Sequence, residues 1–171
     1  QAQGLDRGTW DHVFCLAGGG GLVLATALGF EQVQQAGRLE KLPRTECVQP
    51  IGNNTISGPL RSGSNVAQAI QCTSKISGLQ VPSVIDGNEV IAACQRNGGT
   101  GHLVEDDLVW QTQARLAREE GVFAEPAAST AVAGALQAAR EGLIDPEANV
   151  VCLITGSAFK APPSLDAMIK H

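Results

Sequence analysis

The residues whose type and spacing most clearly indicate chemistry are four consecutive glycines: Gly18, Gly19, Gly20 and Gly21. Glycine has no Cβ atom, so the backbone N–H groups of this glycine loop (residues 18–21) can converge on an anion and approach it closely. The segment from Leu22 onward is compatible with a helix, whose N-terminus would add a positive dipole at the same place. The pattern therefore predicts that the N–H groups of residues 18–22 bind a phosphate group.

Two common phosphate-binding motifs do not fit the glycine loop. A P-loop needs Lys followed by Ser or Thr directly after its last glycine, and neither follows Gly21. The dinucleotide pattern G-x-G-x-x-G also fails, because its third glycine would fall on Val23 or Leu24. The next strand-like run ends in Gln49 rather than in an acidic residue. A nucleotide-binding, Rossmann-like domain therefore stays a secondary alternative.

Composition and charge exclude several classes of function. The 171 residues are enough for one domain, and the net charge of −5 argues against a nucleic-acid partner. No apolar run approaches the ~20 residues that cross a membrane, and no signal peptide opens the chain. We therefore expect a cytoplasmic protein that binds neither nucleic acid nor a membrane.

The cysteines and histidines show no spacing typical of metal ligands. Of the five cysteines, Cys15, Cys47 and Cys152 lie inside apolar strand-like runs, where a thiol behaves as a small hydrophobic group. The three histidines form no group in the sequence either: His12, His102 and His171. We therefore expect reduced core cysteines and no metal site.

Short apolar runs rich in β-branched residues alternate with helical patterns, which is typical of a parallel sheet covered on both faces. The runs predict strands at residues 11–16, 45–49, 101–105 and 149–154. Between residues 51 and 83, frequent Gly, Asn, Ser and Pro residues interrupt any long element. The predicted fold is a three-layer αβα arrangement with a mostly parallel sheet, and residues 1–171 form a single α/β domain.

Start signals place the helices between these strands. Asp86 and Glu89 predict a capping box, in which Glu89 reaches back to the backbone N–H of Asp86. Asp106 and Asp107 put negative charge at the start of the next helix, and Pro126 suits the first position of another. A helix after the glycine loop is indicated by residues that would share one of its faces: Leu22, Ala25, Gly29, Val33 and Ala36. The helix after Pro126 is predicted to bury Ala128, Ala131, Val132, Ala135, Leu136 and Ala139, with Thr130, Gln137, Arg140 and Glu141 outward.

Four segments, in this order, resemble the fold-type II pyridoxal-phosphate enzymes, and threonine synthase and its near relatives most of all. They are the strand that leads into the glycine loop, Gly-Leu-Gln-Val-Pro at 78–82, Glu-Gly-Val-Phe-Ala-Glu-Pro-Ala at 120–127, and Val-Val-Cys-Leu-Ile-Thr-Gly-Ser-Ala-Phe-Lys at 150–160. The resemblance implies a large domain like that of tryptophan synthase β, with pyridoxal 5'-phosphate as cofactor. It also implies that the chain is the C-terminal, cofactor-binding half of such an enzyme.

The resemblance assigns roles to individual residues. The cofactor phosphate would be bound by Gly18, Gly19, Gly20, Gly21 and the N–H group of Leu22. Thr155 would lie beside the pyridine nitrogen and keep it largely unprotonated, and Glu125 would begin the helix behind the pocket. Gly78 would lie near the ring. From the residues alone, Glu125 could equally be a helix-start carboxylate, and Thr155 could belong to a strand-ending turn.

Enzymes of this kind hold the cofactor on a Schiff-base lysine, and the resemblance places that lysine well before the glycine loop. Seventeen residues precede Gly18, and none of them is lysine. Lys160 falls at a family position that is not the Schiff-base one. Lys75 follows the loop, where the family has no such residue. We therefore predict no catalytic residue here and an absent N-terminal Schiff-base portion, and Lys75 is the one candidate that could overturn this.

The resemblance implies a lyase of amino-acid biosynthesis, acting by elimination or replacement at the β or γ carbon of a hydroxy amino acid or its phosphate ester. The chain alone is expected to be inactive. Its expected partners are a small amino-acid substrate and either a second copy or the missing N-terminal half, since an α/β domain without its neighbour exposes apolar surface. The alternative from a different functional class is a non-catalytic module that binds phosphate or serves in assembly.

Overall fold

A sheet of four parallel strands forms the centre of the computed structural model, which describes residues 9–170. The strands are β1 (His12–Leu16), β2 (Arg44–Pro50), β3 (Gly101–Val104) and β4 (Val150–Cys152), arranged in the order β3-β2-β1-β4. Every pairing is parallel. All four predicted strands are therefore present, although β4 ends two residues earlier than predicted and β2 is one residue longer at each end.

Six helices connect and cover the strands in the described part of the chain. They are α1 (Gly21–Gln35), α2 (Ser57–Arg61), α3 (Gly87–Arg96), α4 (Asp106–Glu119), α5 (Pro126–Arg140) and α6 (Ser164–Ile169), with single 3-10 turns at Ile51–Asn53 and Ala158–Lys160. Among residues 9–170, none of these helices has the length and apolarity that crossing a membrane requires.

The two faces of the sheet carry separate hydrophobic cores. Along β1, Val13 and Cys15 face a core shared with α1, α2 and α3, whereas Phe14 faces a core shared with α4 and α5. This alternation follows from the two-residue period of a strand, which sends successive side chains to opposite faces. The predicted three-layer αβα arrangement is confirmed.

The helix predicted after the glycine loop is confirmed as α1, but the face that it buries is not the one whose residues indicated it. Val23 and Ala27 are the buried residues, whereas Ala25, Val33 and Ala36 are exposed. Leu22 and Gly29 are only half-buried. The first turns of α1 are apolar on every side, so the sequence offered two faces of similar hydrophobicity, and packing against α3 and the sheet selected the other one.

The predicted face of α5 is correct only in part. Ala128 and Ala131 are buried as predicted, but Ala139 is exposed and Thr130 is fully buried. The Thr130 hydroxyl donates to the carbonyl of Pro126 at 3.1 Å, so its burial leaves no unpaired polar atom. The helix also approaches β2 closely at Gly134, where a Cβ atom would lie 2.6 Å from the Val48 side chain. The helix is therefore enclosed over most of its first three turns.

Two histidines that are far apart in sequence meet at one buried carboxylate, which corrects the expectation that the histidines form no group. His12 Nδ1 lies 2.8 Å from Glu46 Oε1, and His102 Nε2 lies 3.1 Å from Glu46 Oε2. The Thr100 N–H group also donates to Glu46 Oε2, at 2.8 Å. The three side chains lie on neighbouring strands, which the sequence could not show, and His171 falls outside the described residues.

Desolvation of Glu46 raises the pKa of its carboxyl, but the combined hydrogen bonds from His102, Thr100 and His12 and the charge of His102 outweigh it. The net result is a pKa below the usual value. The described residues contain no cluster of three or more His, Cys, Asp or Glu side chains that could hold a metal ion. The network therefore joins β1, β2 and β3 through a shared charge.

Candidate phosphate-binding site

The glycine loop lies at the carboxyl end of β1, and α1 begins directly after it. Gly20 is the N-cap residue of α1 and has φ 105°, a left-handed conformation that favours glycine. In open parallel sheets, ligands bind outside the carboxyl ends of the strands. The loop thus has the position predicted for it, at the sheet edge where a ligand site is expected.

The N–H groups of the loop are available to a ligand. Within residues 9–170, the N–H groups of residues 18–22 donate to no protein acceptor, whereas the Ala17 N–H bonds Val48 and the Leu24 N–H bonds the Gly20 carbonyl. Five successive unbonded donors next to a helix N-terminus form a strong anion-binding arrangement. These unbonded N–H groups lie where the residue pattern predicts a phosphate, and phosphate binding there stays a prediction.

The opposite side of the loop is filled by neighbouring residues. A Cβ atom on Gly18 would lie 3.2 Å from the Gly78 carbonyl oxygen, and one on Gly19 would lie 3.0 Å from Ile85. A Cβ atom on Gly20 would lie 2.7 Å from Val90. Such contacts are closer than ordinary packing, so the absence of side chains lets the loop sit against these residues.

Gln49, at the end of β2, supports the loop and was missed as a site residue. Its side chain is fully buried, and its Nε2 donates to the Gly18 carbonyl at 3.4 Å and to Thr55 at 3.0 Å. Its Oε1 accepts the N–H groups of Ile56 and Ser57 at 2.7 and 2.9 Å. The one available signal was a polar residue inside a buried strand, which must find hydrogen-bond partners.

Asp86 begins α3 as predicted, but the predicted capping box is wrong. Its side chain makes no capping hydrogen bond, and its backbone N–H donates to the Gly19 carbonyl at 3.1 Å rather than meeting Glu89. The Asp86 carboxylate lies beside the first turn of α1, with Oδ2 3.3 Å from the position of a Cβ on Gly21. The start of α3 is thus attached to the glycine loop.

Gly78 and Thr155 lie around the same edge of the sheet. Gly78 has φ +87°, its carbonyl faces Gly18, and a Cβ on it would lie 3.5 Å from Ala127. Phe14 and Cys152 are in register, and Leu153 donates to the Phe14 carbonyl. Thr155 follows Cys152, the last residue of β4, by three positions. Thr155 is exposed beyond the end of β4, so its role beside the pyridine nitrogen stays a prediction.

Glu125 joins the segment after β4 to the start of α5. It is the N-cap residue of α5, but its side chain makes no capping hydrogen bond. Its N–H donates to the Gly156 carbonyl at 2.9 Å, and its carboxylate packs so closely on Gly156 that a Cβ there would collide with it. Lys160 Nζ lies 3.5 Å from Glu125 Oε1. Glu125 therefore holds the turn that carries Thr155.

Lys75 lines a different cleft, of about 340 Å³, together with Gly52, Asp106 and Trp110. Its backbone N–H donates to Asp106 Oδ2 at 2.7 Å, and its side chain is exposed. None of the glycine-loop residues lines this cleft. The expectation that Lys75 is not the residue that holds a cofactor stays a prediction.

Comparison with known proteins adds an independent finding. A family model described as "Pyridoxal-phosphate dependent enzyme" matches residues 2–156. The chain is 28% identical to threonine synthase of Methanocaldococcus jannaschii over 161 residues, and 30% identical to threonine synthase of Mycobacterium tuberculosis over 156 residues. These matches cover 94% and 91% of this chain but 39% and 41% of the relatives. The chain therefore spans well under half the length of these relatives.

Solved structures share the fold. Processed threonine deaminase isoform 2 from Solanum lycopersicum superposes with a TM-score of 0.72 at 23% identity, over 95% of this chain and 44% of that one. A fungal L-serine ammonia-lyase from Rhizomucor miehei gives a TM-score of 0.72 at 18% identity, over 95% and 50%. At such identities the likeness establishes the fold alone, and it confirms the predicted fold class.

Proposed function

Because this chain belongs to the pyridoxal-phosphate dependent enzyme family, we propose that its glycine loop binds the phosphate group of pyridoxal 5'-phosphate. The observation that carries the proposal is the row of unbonded N–H groups at residues 18–22, next to the N-terminus of α1. Backbone donors and the helix dipole together favour a phosphate at that point. Gln49 and Asp86 hold the loop carbonyls, which leaves the N–H groups free for the ligand.

Three further residues complete the proposed site. Thr155 offers a neutral hydroxyl to the pyridine nitrogen, which keeps that nitrogen largely unprotonated. Gly78 lets the backbone approach the ring without a side chain in between. Glu125 acts as a positioning residue, because it holds Gly156 and so fixes the turn after β4. When bound, the cofactor supplies an electron sink for negative charge at Cα of an amino acid.

We propose that the whole enzyme acts on a hydroxy amino acid or its phosphate ester, by elimination or replacement at the β or γ carbon. The threonine synthases among its relatives support this substrate class. In the whole enzyme, the part described here binds and orients the cofactor. No residue of this part is assigned as the amine that holds the cofactor covalently.

Amide chemical shifts of the ¹⁵N-labelled chain test the proposal directly. Titration with inorganic phosphate and with pyridoxal 5'-phosphate should move the signals of residues 18–22 first and saturably. Gly20→Val should abolish both effects, because valine at φ 105° is strained and its Cβ would meet Val90. Gly29→Ala, in the same helix with no atom within 4 Å of the new Cβ, is the matched control and should bind normally.

Two outcomes would contradict the proposed site. One is saturable binding of the cofactor with shifts confined to residues outside 18–22. The other is tighter binding of NADH or ATP than of pyridoxal 5'-phosphate, which would favour the nucleotide-binding alternative. Lys75→Ala should leave the cofactor affinity unchanged, since Lys75 lines a separate cleft. The wild-type shifts decide the question even if Gly20→Val does not fold.

A further inference from the structure

The Asp86 carboxylate lies beside the glycine loop. Its Oδ2 is 3.3 Å from the position of a Cβ on Gly21, and its Cβ is 3.6 Å from that of a Cβ on Gly20. The bond from the Asp86 N–H to the Gly19 carbonyl fixes this placement. Within residues 9–170, no hydrogen bond or ion pair to the Asp86 carboxylate is present.

Among residues 9–170, the elements packed around Asp86 supply no unpaired cation. The glycine loop and residues 81–85 carry no charge, and the first charged residue of α1 is Glu31, which is paired with Arg96. α3 adds the exposed Glu89 in its first turn. The nearest basic residue of α2, Arg61, is paired with Glu141. An anion in the loop would therefore meet the negative charge of Asp86 largely uncompensated.

The negative charge of Asp86 would repel an anion in the glycine loop strongly enough to change the affinity of the loop for it. For a separation of ~8 Å and an effective dielectric constant of ~20–40, the repulsion between two unit charges corresponds to a factor on the order of tenfold in affinity. A dianion suffers about twice the repulsion of a monoanion, because the energy scales with the product of the charges. A carboxylate in this position thus discriminates between the charge states of a phosphate.

We propose that Asp86 is a specificity-determining residue of the phosphate site, which lowers the affinity of the glycine loop for phosphate dianions relative to monoanions. The inference rests on the proposed function of the loop as a phosphate site. A merely structural Asp86 would support the start of α3 or the dipole of α1 and would leave the charge preference of the bound anion unchanged. The two roles therefore differ in a measurable quantity.

The test is a titration of the ¹⁵N-labelled chain with inorganic phosphate at pH 5.5 and pH 8, with the shifts of residues 18–22 as readout. Asp86→Asn should raise the phosphate affinity on the order of tenfold at pH 5.5, where phosphate is mainly a monoanion, and on the order of a hundredfold at pH 8, where it is mainly a dianion. Asp86→Glu, which keeps the charge, should remain close to wild type. Glu89→Gln removes an exposed carboxylate from the same helix turn and should change neither affinity.

The outcomes separate this inference from the proposed function. If residues 18–22 respond to phosphate but Asp86→Asn binds as wild type does, or gains the same factor at both pH values, the inference is wrong and the phosphate site stands. If residues 18–22 respond to phosphate in neither protein, the phosphate site and the inference are both refuted. Circular dichroism of each variant establishes that it is folded before its affinity is compared.

Discussion

Replacing Glu46 with Gln should strongly destabilise the fold, because one buried carboxylate connects three strands. Glu46 is 3% exposed and accepts hydrogen bonds from His12, His102 and the Thr100 N–H group at 2.8, 3.1 and 2.8 Å. Glutamine is nearly the same size, so the variant changes charge and hydrogen bonding rather than packing. The site lies in the sheet core, so this prediction is independent of phosphate binding.

The expected loss follows from the bonds that glutamine cannot accept. Its single amide oxygen can still accept the Thr100 N–H group, but its NH₂ group cannot accept from an imidazole. A lost hydrogen bond to a charged group costs about 1.5–3 kcal/mol, and breaking a buried ion pair costs about 3–5 kcal/mol. We expect the free energy of unfolding to fall by about 3 kcal/mol, and Tm to fall by roughly 6–12 °C for a chain of this size.

The difference should depend on pH in one direction. The folded pKa of Glu46 lies below its unfolded value of about 4.3, so its contribution is fully present above that pH and is lost as pH falls through the folded pKa. Urea unfolding of wild type and Glu46→Gln at pH 7 and at successively lower pH should show the gap closing in acid. Exposed Glu40→Gln is the control. Equal stabilities at pH 7, or a gap that does not change on acidification, would refute the reasoning.

Two further expectations concern other buried groups. Gln49→Leu should lower the free energy of unfolding by about 2–6 kcal/mol, because two buried N–H groups lose their acceptor at about 1–3 kcal/mol each. Gln35→Leu, at an exposed position, should leave it unchanged, and equal urea midpoints for the two variants would count against the role of Gln49. Burial raises the pKa of Cys15 to about 11 and of Cys47 to about 12, so both thiols should react with Ellman's reagent at pH 8 only after unfolding. Half-buried Cys72 should react first, and Cys72→Ser should remove that early phase; its persistence would contradict the assignment.

Local features of the chain were sufficient to predict its four strands and the helices α1, α3, α4 and α5, but not the short helices α2 and α6. Strand positions followed from short β-branched runs, and the glycine loop followed from a residue type that permits φ 105° and close backbone approach. Some strand boundaries differ from the prediction by one or two residues. At β4, for example, the strand ends where its pairing with β1 ends, although the apolar run continues. These predictions held because each depends on residues that are close together in sequence.

Contacts between distant residues had no such local signal. Glu46 meets His12 and His102, which lie 34 and 56 positions away, only because β1, β2 and β3 are neighbours in the sheet. Asp86 shows the same limit, since its helix-start position was predictable but its attachment to Gly19 was not. A residue pattern records propensities along the chain, whereas strand order and helix packing decide which side chains and backbone groups share a site. The strands, the longer helices and the position of the glycine loop could therefore be predicted from the amino-acid sequence, whereas the residues that support the loop and the carboxylate beside it depend on the folded arrangement.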